Sequence, residues 1–168
     1  VYAYRDPQHA EGIEQADARI SWQEQYSIAG IQRLPFNTVN QLLAEKHPDR
    51  LIEATVLLVP DLLMYLATGV LRTELTNASS TALIDARSRV FSMPLMAGLG
   101  LQGVRFAPLQ QPGAVRGVTA VHGLPPTPVI AVATHDTASA FAAVPVRDAK
   151  SAAILSLGTW ALIGAELA

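Results

Sequence analysis

The stretch VIAVATHDTASAF, residues 129–141, decides how this chain reads. From Pro128 to Ala133 it is a continuous apolar run, the pattern of a strand buried on both faces. From Thr137 to Val144 small and apolar residues allow a short helix. A strand that feeds a helix indicates an α/β chain, and in open α/β sheets ligands bind beyond the carboxyl ends of the strands. Thr134, His135, Asp136 and Thr137 occupy that position. Two readings of Asp136 follow. As the N-cap of the helix it contributes about 1 kcal/mol. As a general base it takes the proton of an attacking hydroxyl, which phosphoryl transfer requires. His135 either donates to a polyol oxygen or packs against the sheet. Thr137 either bonds substrate or supports the cap.

About twenty residues on, Ser156-Leu157-Gly158-Thr159-Trp160 separates two apolar runs, 152–156 and 159–164. The pattern is that of a β-hairpin. A Gly-Thr turn offers backbone N–H groups and a hydroxyl to an anion, as phosphate-binding nests do. It is equally an ordinary turn, with Trp160 expected in the core.

Composition narrows the function classes. Half of the 168 residues are hydrophobic and 15% are charged, against roughly 25% charged in typical soluble domains. Only five charged side chains, Asp136, Arg147, Asp148, Lys150 and Glu166, fall after residue 117. So apolar a segment reads as part of a larger domain that covers it. The net charge is −2 with no basic run, which argues against nucleic acid. There is no cysteine, hence neither a disulfide framework nor a thiol nucleophile. The four histidines never fall three or four apart, so no His-based metal site is expected. No apolar stretch reaches the roughly 20 residues that cross a bilayer, and a cytoplasmic location is expected. The chain starts at Val1, and an internal segment of a longer protein is expected.

The first two-thirds read as helices broken by loops. Ile13, Ala16 and Ile20 sit at helical spacing within residues 9–27. Thr38 and Gln41 fit a capping box. Pro48 and Pro60 suit first helical turns. Asp61 falls in a first turn, where the helix dipole favours an anion, and Gly69 is placed to end that helix. Arg72–Ala78 reads as extended and Ser80–Ala86 as a helical turn. Six prolines and six glycines in residues 92–128 suggest loop and linker, with a domain boundary near residue 124. Gly98-Leu99-Gly100-Leu101-Gln102-Gly103 spells G-x-G-x-x-G but lacks the preceding strand and the following acid of a dinucleotide site, so it reads as a loop. Tyr4-Arg5-Asp6 reads as solvated surface. Phe36 is core or pocket wall. Asn37 either caps the following turn or reaches a substrate hydroxyl.

Several stretches, in order, resemble the FGGY family of carbohydrate kinases. They are Ala3-Tyr4-Arg5-Asp6, Gly30-Ile31-Gln32-Arg33-Leu34-Pro35-Phe36-Asn37-Thr38, residues 60–69, Glu74-Leu75-Thr76-Asn77-Ala78-Ser79-Ser80-Thr81, residues 134–140 and residues 156–164. The last two, with the Gly-Ile-Gln and Pro-Phe-Asn-Thr string, point to the members that phosphorylate L-rhamnulose. The resemblance implies an α/β, actin-like, ribonuclease-H-like ATPase fold of two domains closing over a cleft. Residues 1–124 would be the latter, mostly helical part of the first domain, and 125–168 the strand-helix-hairpin start of the second. It implies ATP-dependent formation of L-rhamnulose 1-phosphate in rhamnose catabolism. Asp136 matches the catalytic base. His135, Asp136 and Thr137 match the substrate-contact triplet, and Gly158 and Thr159 the turn that meets ATP. Phe36 and Asn37 align with a sugar-pocket segment. Magnesium would arrive with ATP.

The family's first phosphate loop and its late glycine-rich adenine segment have no counterpart here, so the chain alone is expected to be inactive. Thr134 stands where the family usually has Ser, and Leu157 likewise. Xylulose or fuculose kinases are near alternatives. A non-catalytic actin-like nucleotide-binding protein and a plain α/β domain with a capping Asp136 are the alternatives of other classes.

Overall fold

The computed structural model describes residues 3–148, 152–158 and 160–165. Helices dominate the first hundred residues. Helix α1 is His9–Asp17 and α2 is Trp22–Ala29. The helical spacing read within 9–27 is thus carried by two helices. Ser21 divides them: its hydroxyl accepts the Glu24 N–H at 3.3 Å and caps α2. Helix α3, Thr38–Leu43, has Asn37 rather than Thr38 at its N-cap position, and no side chain caps it. Gln41 does reach back, but its side chain donates to the Phe36 carbonyl at 2.9 Å. Pro48 opens a 3₁₀ turn, Pro48–Leu51.

Helix α1 lies directly on α3. A Cβ at Gly12 would sit 1.9 Å from the Asn40 carbonyl oxygen, so only glycine allows this approach. Ala16 and Val39 from these helices join Leu83, Leu95, Met96, Leu99 and Leu101 in one buried cluster. Leu99 and Leu101 belong to the G-x-G-x-x-G stretch, which is thus an ordered turn anchored in the core.

Helix α4, Val59–Thr68, holds Pro60 in its first turn and stops at Gly69, as expected. The extended reading of 72–78 holds only for strand β2, Thr73–Glu74; helix α5, Leu75–Ala78, follows at once. Of the helical turn expected over 80–86, only the 3₁₀ segment Ser79–Thr81 forms. Residues 92–128 are loop-rich, as expected, but they also hold one helix and three short strands. Ser92 caps helix α6, Met93–Gly98, by accepting the Leu95 N–H at 3.4 Å, and Pro94 lies in its first turn. Pro94 marks a helix start, whereas Pro108, Pro112, Pro125 and Pro126 lie in turns and irregular segments, as expected of a loop-rich stretch.

Among the described residues the strands form four two-stranded sheets. Strand β1, Thr55–Val56, runs parallel to β3, Arg105–Phe106, and β2 runs parallel to β4, Leu109–Gln110. Strand β5, Val115–Val118, pairs antiparallel with β6, Pro128–Ile130, so residues on both sides of position 124 share one hairpin. Strand β6 is shorter than the expected Pro128–Ala133. It is not buried on both faces: Ala131 is fully buried, but Ile130 and Val132 are exposed. A two-stranded sheet supplies no second layer to cover them. Helix α7 is Asp136–Ala142, and strands β7, Ile154–Leu157, and β8, Ala161–Gly164, make the expected hairpin.

The β5–β6 register slips between Val115 and Gly117. Bulges re-aim a side chain, and here Arg116 turns inward. Its guanidinium donates to Asp61 Oδ1 and to the Arg72 carbonyl, each at 2.8 Å. Both side chains of the Asp61–Arg116 pair are fully buried. Asp61 also accepts the Glu74 N–H on both carboxylate oxygens. Burial raises the Asp61 carboxyl above its ordinary value, against the pull of Arg116. Asp61 is therefore the anchor of a buried ion pair rather than a dipole partner alone.

Candidate active site

The loop between β6 and α7 is held by several hydrogen bonds along its length. The Ala131 N–H donates to the Ala114 carbonyl at 2.9 Å and keeps the loop root on the sheet. Thr134 donates its N–H and its hydroxyl to Glu74 Oε2, at 3.0 and 2.9 Å. Ser139 donates its hydroxyl to the Ala133 carbonyl at 2.9 Å, across the start of α7.

The cap of α7 is His135, one residue before the Asp136 expected there. Nδ1 of His135 accepts the Ala138 N–H at 3.1 Å. A neutral imidazole that accepts on Nδ1 carries its proton on Nε2, so Nε2 is its donor. Asp136 is released from capping and sits exposed at the first helical position. Its Oδ1 accepts the Thr137 N–H at 2.6 Å and the Thr137 hydroxyl at 3.3 Å. Among the described residues no donor engages Oδ2, which leaves it open to a ligand proton.

The hairpin β7–β8 packs against α7 through Phe141. A Cβ at Gly164 would lie 2.6 Å from the Phe141 ring, so a side chain there would push the hairpin away. This contact sets the hairpin turn beside the helix start. Asp136, Thr137, Ser156, Gly158 and Trp160 line one cavity of about 280 Å³. The structure thus brings Asp136, Thr137 and Gly158 together. His135 lies beside them as the cap and is not among the lining residues. Thr159 lies outside the described residues.

The turn differs in one respect from the phosphate nest expected of it. The Gly158 N–H donates to the Trp160 carbonyl at 3.0 Å, inside the hairpin. What Gly158 offers is open space, since a Cβ there would meet nothing within 4 Å.

Trp160 is not core: it is 49% exposed. Its ring lies 5.8 Å from Phe36, which lies 5.7 Å from Tyr4 in an edge-to-face contact. These rings, with Arg5, Asp6 and Leu34, line a neighbouring cavity of about 350 Å³. Phe36 is therefore a pocket wall, and Tyr4-Arg5-Asp6 borders a cleft rather than open surface. Sequence reasoning missed Ser156 and Trp160 as lining residues; an exposed face of a two-stranded hairpin carries no sequence signal distinct from a buried one. Asn37 is buried and structural, accepting the Leu34 N–H at 2.8 Å and donating to the Ser80 carbonyl at 3.1 Å.

Sequence reasoning also passed over Glu74. Fully buried, it accepts from the Thr76 N–H and hydroxyl, the Asn77 N–H and both Thr134 donors. Burial alone would raise its carboxyl, but these bonds outweigh it and hold the group below its ordinary value. In the sequence Glu74 opens one of the family-like stretches and stands just before a short helix, at the capping position of α5, but neither signal points to Thr134.

Residues 2–142 match the N-terminal domain of the FGGY family of carbohydrate kinases. The chain belongs to this family. This FGGY chain is 42% identical over 173 residues to a rhamnulokinase of Bacteroides thetaiotaomicron, covering 98% of the chain and 36% of that relative. It is likewise 42% identical over 167 residues to a rhamnulokinase of Yersinia pestis, covering 98% and 34%. A carbohydrate kinase from Novosphingobium aromaticivorans superposes with a TM-score of 0.68 at 27% identity, over 89% of this chain and 35% of that one. The fold is the α/β, actin-like fold of the FGGY sugar kinases. The chain spans about a third of the length of the curated relatives it matches. Members of the family use ATP and a divalent metal. Among the described residues no three His, Cys, Asp or Glu side chains gather to hold a metal ion, and Asp136 is the one carboxylate lining its cavity. The described residues therefore do not fit a resident metal site. No helix among them is long and apolar enough to cross a membrane.

Proposed function

We propose that this chain carries the sugar-activating part of an ATP-dependent rhamnulokinase, with Asp136 as its general base. The observation that supports this most is the cleft in which Asp136 and Thr137 face the open Gly158 turn. Asp136 Oδ2 accepts the proton of the primary hydroxyl of L-rhamnulose as that oxygen takes the phosphoryl group. ATP supplies the phosphoryl group, with magnesium carried in on its phosphates. The His135 Nε2–H and the Thr137 hydroxyl bind sugar hydroxyls. Gly158 leaves room for phosphate to approach the backbone, and Thr159 is assigned to the same turn. The 42% identity to rhamnulokinases supports the choice of sugar.

The test is ADP release by the full-length protein that carries this sequence, with L-rhamnulose, D-xylulose and L-fuculose compared at equal ATP. The highest kcat/KM is expected with L-rhamnulose. A higher value with another sugar would overturn the substrate, and no release with any of the three would overturn the kinase reading itself.

A further inference from the structure

Glu74 and Thr134 stand 60 positions apart, yet one carboxylate joins them. Glu74 Oε2 takes both donors of Thr134, two residues before Asp136. The next amide, that of His135, donates to the Thr76 hydroxyl at 3.4 Å, and that hydroxyl donates to the same Oε2 at 2.6 Å. The backbone immediately before Asp136 is therefore fixed from outside its own strand and helix. Glu74 is itself held from behind, since its N–H donates to Asp61, which is locked to Arg116.

Capping of α5 does not account for this arrangement. The cap uses the Thr76 and Asn77 amides, whereas the Thr134 bonds serve a segment that α5 does not contain. Apolar packing does not replace the tether either. Ala131 is fully buried, but Val132 is 61% exposed and no residue of α7 is buried.

We propose that Glu74 is a positioning residue for the proposed phosphoryl transfer: through Thr134 it sets the direction from which the Asp136 carboxylate meets the sugar hydroxyl. This rests on the assignment of Asp136 as the base. A displacement of about 1 Å at a reacting group costs on the order of 10²-fold in rate, so a tether made of two hydrogen bonds is enough to matter.

The test uses Glu74→Ala, Thr134→Val and Thr134→Ser in the full-length protein. Thr134→Val removes only the hydroxyl arm and preserves shape, so it remains informative where Glu74→Ala lowers stability. The expected loss in kcat is on the order of 10²-fold for Glu74→Ala and roughly tenfold for Thr134→Val. The KM for ATP is expected to stay unchanged, and Thr134→Ser, which restores the hydroxyl, to recover most of the rate. Amide exchange is the second readout. In Thr134→Val the amides of residues 135–138 are expected to exchange roughly tenfold faster, with those of α1 and α3 unaltered. A Thr134→Val protein with wild-type kcat, or with unaltered exchange at 135–138, overturns the proposal. A wild-type protein inactive on L-rhamnulose overturns the substrate reading alone, and the exchange comparison then still decides the tether.

Discussion

Two halves of this molecule are held together by different forces. Up to Ala107 the chain buries a conventional apolar core, with Leu83, Leu95, Met96 and Leu99 all but inaccessible. After it, Ala131 is the one buried hydrophobic among the described residues. The hairpin β7–β8 instead turns Leu157 and Ile163 outward, 74% and 77% exposed. The candidate site belongs to the second half, and its shape depends on directed polar bonds back to the first. Apolar burial is non-directional, while hydrogen bonds to a buried carboxylate specify both position and orientation. The functional loop is placed by the second kind of force.

The harshest way to break that contrast is to remove the polar anchor itself. Arg116→Met leaves the buried Asp61 carboxylate without its partner, and loss of about 3–5 kcal/mol is expected from denaturant unfolding. Leu83→Ala attacks the apolar half alone, with about 2–5 kcal/mol expected. Residues 135–138 should keep their wild-type amide protection in Leu83→Ala, relative to global unfolding, and lose it in Arg116→Met. At the other extreme, Ile163→Ser on the open hairpin face should change stability by no more than about 0.5 kcal/mol. A large loss there would mean that the hairpin is covered by another part of the same protein.

Acid titration sharpens the comparison by separating the two buried carboxylates. Glu74 has its folded value below the ordinary 4.5. It therefore contributes stability that is fully present above 4.5 and is lost as pH falls through the folded value. Asp61 has its folded value raised above 3.8, so its contribution has the opposite sign: present at lower pH and lost as pH rises through the folded value. The urea midpoint of the wild type should fall on acidification below 4.5 more steeply than that of Glu74→Gln. Equal slopes would show that Glu74 is not held ionised by its five donors.

Much of this was legible in the residues. The β7–β8 hairpin, helix α7, the end of α4 at Gly69 and the placement of Asp136 beyond a strand all follow from local pattern. The family motifs join Asp136 and Gly158 in one site without any geometry. What escaped has a common physical cause. Glu74 with Thr134, and Asp61 with Arg116, are 60 and 55 positions apart, and several of the carboxylates' donors are backbone amides, which leave no trace in residue type. The cap of α7 shifted by one residue because histidine and aspartate can both accept a backbone N–H, and the imidazole won. Within 92–128 the helix at 93–98 escaped the loop reading because proline marks helix starts as well as loops, and Ser92 two residues before Pro94 was the deciding signal.

The central claim, that Asp136 is the base, is tested most directly by Asp136→Asn in the full-length protein, with phosphoryl transfer from ATP to L-rhamnulose measured alongside ATP affinity and melting temperature. Because Asp136 is exposed and no longer caps α7, the variant should fold and bind ATP as the wild type does. Its kcat should fall by roughly 10²–10⁴-fold, the contribution of a positioned general base. A kcat near that of the wild type would contradict the assignment.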